Sequence, residues 1–73
     1  MVPNDAVTNV LRAHNFTFKR QSDRMMLWRQ RGSQRRVQVR RNGSHDPDYV
    51  KTLLRQAGLT IEEIDAFFRS INC

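Results

Sequence analysis

The spacing of the apolar residues changes twice along this chain, and no other feature restricts the fold as much. Val7, Val10 and Leu11, with His14 one turn on, fall at helical intervals. In the middle, Phe16-Thr17-Phe18 and Arg36-Val37-Gln38-Val39-Arg40 alternate, as strands with one buried face do. Helical spacing returns with Val50, Leu53, Leu54 and Ala57, and again with Ile61, Ile64, Phe67, Phe68 and Ile71. A stripe of period 3.6 cannot lie on one side of a strand, nor an alternating one on one side of a helix. The pattern predicts an α+β fold in the order α-β-β-β-α-α. Its three-stranded antiparallel sheet needs one face covered, and the helices are the only cover the chain offers.

Local residue chemistry marks the ends of these elements. Pro3 and Asn4 open the first helix, over 4–14, with Asp5 at its positive end and Asn15 placed for a left-handed C-terminal conformation. Gln21-Ser22-Asp23 and Gly32-Ser33 supply turns, the second a hairpin signal. Between them, in 24–31, the run Met25-Met26-Leu27-Trp28 is apolar at every position and leaves open which parity faces inward. Residues 41–45 read as a loop. Asp46 is then an N-cap with Pro47 at the first helical position, and Gly58 closes that helix. Thr60 and Glu63 make a capping box for the last helix, with Leu59 and Ile64 placed to staple across it. The expected core is Val10, Leu11, Phe16, Val37, Val39, Leu53, Leu54, Ile64 and Phe68.

Size limits what such a chain can do. Seventy-three residues make a single domain, 1–73, and chains of this length bury only about 60% of their unfolded surface. There is no room for a separate cofactor domain, no metal-ligand spacing and no glycine-rich phosphate loop, so no cofactor or metal is expected. The one cysteine, Cys73, has no partner within the chain. That fits a reducing cytoplasm better than a disulfide scaffold or a zinc site. No apolar run approaches the roughly 18 residues of a membrane span, and the N-terminus lacks the basic and apolar segments of a signal peptide. A cytoplasmic protein with no membrane partner is the expectation.

The net charge of +6 is unevenly placed. Lys19, Arg20, Arg24, Arg29, Arg31, Arg35, Arg36, Arg40 and Arg41 fall within 23 residues that hold one acid, Asp23, whereas the flanking helices are balanced or acidic. A surface of this kind suits a polyanion, most commonly a phosphate backbone. Arginine outnumbers lysine eight to one in the segment; its planar fork meets phosphate bidentately and stacks on bases. The candidate nucleic-acid contacts are Lys19, Arg20, Arg24, Arg29, Arg31, Arg35, Arg36 and Arg40. Trp28 lies among them as a stacking residue, against the commoner role of tryptophan in a half-apolar strand, which is core. A charged surface reads phosphate before sugar, so DNA stays open beside RNA as a ligand.

Catalytic groups are sparse. His14 ends an amphipathic helix and reads as a packing or capping group. His45 lies between Ser44 and Asp46, but neighbours in sequence do not make a triad, which joins distant segments. A solvated loop histidine is the plainer reading. Asp46, Asp48, Glu62 and Glu63 suit the helix dipole better than a metal.

The order of elements and several local strings together resemble the HicA toxins of bacterial toxin–antitoxin modules. The likeness covers residues 4 to 69. Asn15-Phe16 is similar to the Gly-Phe that follows the family's first helix. Arg20-Gln21 and Leu27-Trp28-Arg29 are similar to its arginine-bearing turn and second strand, and Val37-Gln38-Val39 to its third strand. The most specific string is Leu53-Leu54-Arg55-Gln56-Ala57-Gly58-Leu59-Thr60, similar to the family's helix end and restart. The resemblance implies a fold like that of double-stranded-RNA-binding domains, ribosome-independent cleavage of mRNA, and inhibition by a HicB antitoxin. It also implies a catalytic histidine at the start of the second strand, after a glycine and a small hydroxyl residue. Those positions here are Asp23-Arg24-Met25, and none matches. A thioether moves no proton near neutral pH, and general acid–base catalysis typically contributes about 10²–10⁴-fold. No catalytic residue carries over to this chain, and His45 is a weak substitute.

Three readings follow, in order of preference. The first is a HicA-like domain that binds RNA, or a HicB-like antitoxin, with cleavage absent or weak. The second is a module that meets an acidic protein partner through its basic face. The third is an active mRNA interferase using a non-standard residue such as His45, helped by arginines at the phosphate.

Overall fold

The alternating middle of the chain forms a three-stranded antiparallel sheet, and the segments of helical period lie on one side of it. The computed structural model describes residues 1–41 and 43–71. Asn42, Asn72 and Cys73 lie outside the described residues, as does the expectation that Cys73 has no partner. The order is β1 (Val2–Pro3), α1 (Asn4–Ala13), β2 (Phe16–Gln21), β3 (Met25–Gln30), β4 (Arg36–Arg40), β5 (Ser44–His45), α2 (Pro47–Gln56) and α3 (Ile61–Ile71). The sheet runs β2-β3-β4, and β1 pairs with β5 in a separate two-stranded ladder. No helix among the described residues is long and apolar enough to cross a membrane.

The boundary chemistry holds at most positions. Asp46 caps α2 by accepting a hydrogen bond from the Asp48 N–H at 2.8 Å, with Pro47 in the first turn. Thr60 and Glu63 form the reciprocal box, at 3.1 Å and 2.8 Å. Leu59 and Ile64 are both buried beside it. Asn15 is left-handed at φ 71°, and Gly58 has φ 91°. The Arg35 guanidinium packs against Gly58, where a Cβ would have to displace only the end of that flexible side chain. α1 starts at Asn4, as expected from Pro3 and Asn4. The residue before it, Pro3, offers no side-chain cap, and the Asn4 N–H donates to the Gly43 carbonyl at 3.0 Å.

Residues 44 and 45 are not simply loop. They pair with Pro3 and Val2, and His45 is buried. The ladder is two residues long and joins segments some forty positions apart, so no local pattern announces it.

Seven of the nine expected core residues are buried, joined by Val2, Val7, Trp28, Val50, Ala57, Leu59 and Phe67. Val10 and Phe68 only pack against the edge of that cluster. Val10 borders an open groove between α1 and α3, and Phe68 lies under the Lys51 ammonium. Ile61, expected on the apolar stripe of α3, is 59% exposed in its first turn.

A polar clasp joins α1 to α3. The His14 ring meets the Val10 carbonyl through Nδ1 at 2.9 Å and the Glu63 carboxylate through Nε2 at 2.9 Å. Both partners are acceptors, so the ring makes both bonds only as imidazolium. The bond to Glu63, then that to the Val10 carbonyl, raises the His14 pKa above its ordinary 6.5. The Thr60 N–H, then His14, lowers that of Glu63 below its ordinary 4.5. A raised histidine stabilises fully below 6.5 and loses its contribution as pH rises through the folded value. A depressed carboxylate does so above 4.5 and loses it as pH falls through its own. Melting temperature should therefore decline between pH 6 and 8, and His14→Asn should flatten that decline. An equal decline in the variant would exclude the clasp as its source.

Candidate nucleic-acid interface

Register sorts the basic segment into faces. Opposite one another lie Phe18, Trp28 and Val37 in one row and Met26 with Val39 in another. Trp28, Val37 and Val39 are buried, so this parity faces the helices. The intervening rows face away: Thr17, Arg29 and Arg36; Arg20, Leu27 and Gln38; Met25 and Arg40. The all-apolar run of β3 thus resolves into Met26 and Trp28 inward, Met25 and Leu27 outward.

A break in register between Phe18 and Arg20 alters the cation count on this open face. A bulge sets two residues against one on the partner strand. Lys19 and Arg20 therefore both stand against Leu27. Strict alternation would have turned Arg20 toward the helices, where an unpaired guanidinium is costly to bury.

Lys19, Arg20, Arg29, Arg31 and Arg36 are all exposed, and among the described residues none is bonded to a carboxylate. The ion pair of His14 with Glu63 lies away from this face, between α1 and α3. No acidic residue lies on β2, β3 or β4. Two shallow hollows mark the ends of the face. One, of about 700 Å³, lies at the β3–β4 hairpin among Thr17, Lys19, Arg29, Arg31, Gly32 and Ser33. The other, of about 460 Å³, lies at the β2–β3 turn among Asp23, Arg24, Met25, Arg40 and Arg41.

Four nominations need correction. Trp28 is 2% exposed, with Phe18 edge-on at 5.7 Å and the Arg12 guanidinium 5.2 Å from its ring centre; it is core and offers no stacking surface. Arg35 turns back over Gly58 at the end of α2, away from the open face. The Arg40 guanidinium reaches round the sheet edge to lie 4.8 Å from the Tyr49 ring centre. It borders the turn-end hollow without lying flat on the sheet. His45, read as solvated, is 3% exposed with Nε2 bonded to Asn4 Oδ1 at 3.0 Å. Its burial, then the nearby Arg40 charge, lowers its pKa. A buried histidine committed to an amide oxygen is poorly placed to act on a phosphate.

Three contributors escaped sequence reasoning. Arg41 donates to the Ser22 carbonyl at 3.0 Å and so is held across the turn beside Arg24; only its place in the charge run pointed to it. Leu27 and Gln38 lie at the centre of the face with Arg20 and Met25, and nothing in an apolar run distinguishes an outward leucine.

Compared with known proteins, the chain matches no protein-family model, no curated protein and no solved structure.

Proposed function

We propose that this domain binds RNA through the open face of its sheet, as a HicA-like protein whose cleavage activity is absent or weak. One observation carries the reading: Lys19, Arg20, Arg29 and Arg36 stand together on a face without a carboxylate. Solubility is served equally well by mixed charge, whereas phosphate binding requires one sign. A three-stranded sheet with helices on one side is in keeping with the double-stranded-RNA-binding-like architecture that the resemblance implies. Met25, at the position of the family's histidine, sits among Arg24, Arg40 and Arg41. That setting can hold a phosphate; Met25 itself moves no proton, and the one carboxylate beside it is Asp23, exposed in the turn. The chain's own chemistry there is electrostatic.

Purified protein incubated with mRNA tests the reading. The unmodified chain should shift the RNA without shortening it, and affinity should fall with salt at a log–log slope of about −0.7 per single-strand phosphate contact. A Met25→His variant should bind equally well, and any cutting should appear only with it. Robust cutting by the unmodified protein would overturn the non-catalytic part. A HicB-like antitoxin or another acidic protein would use the same basic face. Co-purification that survives RNase, with no RNA shift at low salt, would favour that second reading.

A further inference from the structure

We infer that the open face is a track for a single-stranded polynucleotide, with a phosphate clamp at each end and a base platform between them. The inference rests on the RNA-binding role proposed above and adds the form of the ligand and its footprint. Cations gather at both ends of β3: Lys19, Arg29 and Arg31 at the hairpin, and Arg24 with Arg41 at the opposite turn, where they outnumber the single carboxylate of Asp23. The five steps of β3 from Met25 to Gln30 separate these ends by about 17 Å at ordinary strand rise.

What lies between differs in chemistry. Leu27 and Met25 are half-buried and apolar, and Gln38 is exposed beside them with an amide that both donates and accepts. An apolar pair offers nothing to a phosphate and suits the face of a base, while the amide suits a base edge. A duplex keeps its base faces stacked inside and presents mainly phosphate and sugar to a flat surface. The aliphatic centre is therefore matched by an unpaired strand. Trp28 and Phe18 lie on the other parity, so the platform is aliphatic and predicts weak base preference. The footprint is roughly four nucleotides, the short end of the range for single-strand-binding folds. The longest dimension of the domain, 31 Å, leaves little room for more.

Oligouridylates of two to eight nucleotides, titrated at low salt, test this. Affinity should climb steeply up to about four nucleotides and then only by the number of available registers. Arg31→Gln and Arg24→Gln each take one cation from one clamp. For the octamer each should weaken binding about tenfold, but for the dinucleotide, which fits either end, each should cost no more than about twofold. Leu27→Ser should weaken the tetramer. Arg55→Gln, which removes the same charge from α2, should leave all lengths unchanged. Penalties independent of length, or a duplex competitor as effective as single strand, would overturn the track while leaving RNA binding in place. Absence of binding at every length and for the duplex would remove the RNA-binding role itself.

Discussion

An Arg29→Glu variant should bind RNA about a hundredfold more weakly than the unmodified domain, taking roughly tenfold for each of two charge units, and should melt no lower. The two effects have opposite causes. Arg29 and Arg36 face each other across β3 and β4, and both are exposed. Like charges directly opposed across a ladder destabilise it, and opposite charges stabilise it, by about 0.2–1 kcal/mol. Glutamate at 29 turns a repulsive pair into an attractive one. A gain at the upper end of that range would raise the melting temperature by about 4–8 °C in a domain of this size. RNA, by contrast, loses one phosphate contact and meets a new carboxylate at the hairpin end of the face. Fluorescence anisotropy with labelled RNA, beside a thermal melt, reads both quantities. Unchanged affinity would remove Arg29 from the interface. A fall in stability along with affinity would mean that Arg29 holds the sheet together.

This pairing also explains why a single acid among nine central cations is informative. If the strands carried arginine only to stay soluble and blunt their edges, acids across the ladder would do as well and at lower electrostatic cost. The edge strand β2 does carry those protective devices, a bulge and the charges of Lys19 and Arg20. They account for two cations near one edge. They do not account for Arg29 in the central strand opposite Arg36.

What could be read before the structure was known depended on how far apart the cooperating residues lie. Asp46 with Asp48, and Thr60 with Glu63, act over two or three positions, so their caps were legible. So was the inward pair Val37 and Val39, because strict alternation has one solution. The parity of Met25-Met26-Leu27-Trp28 was not, since both faces of β3 are apolar there and packing on β2 and β4 settles it. The bulge at Lys19 leaves no compositional mark, yet it decides where Arg20 points. Arg35 and Arg40 illustrate a further limit. Charge counts place a cation on a segment, but only tertiary neighbours, Gly58 for one and Tyr49 for the other, decide which surface it serves. His45 required β1 to be seen beside β5. The candidate face was thus legible as a charge excess and illegible as a geometry.

Trp28→Ala should bring the domain close to unfolding. The indole is the largest fully buried side chain, held between Val37 on the adjacent strand and Phe18 at the edge, with Arg12 over its ring. Removing a buried tryptophan typically costs about 3–5 kcal/mol. A chain of 73 residues has a total stability of about 4–11 kcal/mol at 0.05–0.15 kcal/mol per residue. Urea denaturation should show a midpoint near zero, or a steep loss of cooperativity. Phenylalanine at the same place should cost much less. It keeps a ring beside Phe18 and Val37, and it removes the indole N–H, which has no hydrogen-bond partner among the described residues. A buried unsatisfied donor is itself destabilising by about 1–3 kcal/mol, so its loss offsets part of the lost area. Trp28→Phe also separates packing from recognition. Because Trp28 faces the helices, the folded variant should bind RNA within about twofold of the unmodified protein, whereas a stacked base would lose part of the about 1–3 kcal/mol that such contacts supply. A folded Trp28→Phe protein with sharply reduced RNA affinity would return Trp28 to the interface and reverse the inward and outward assignment of β3.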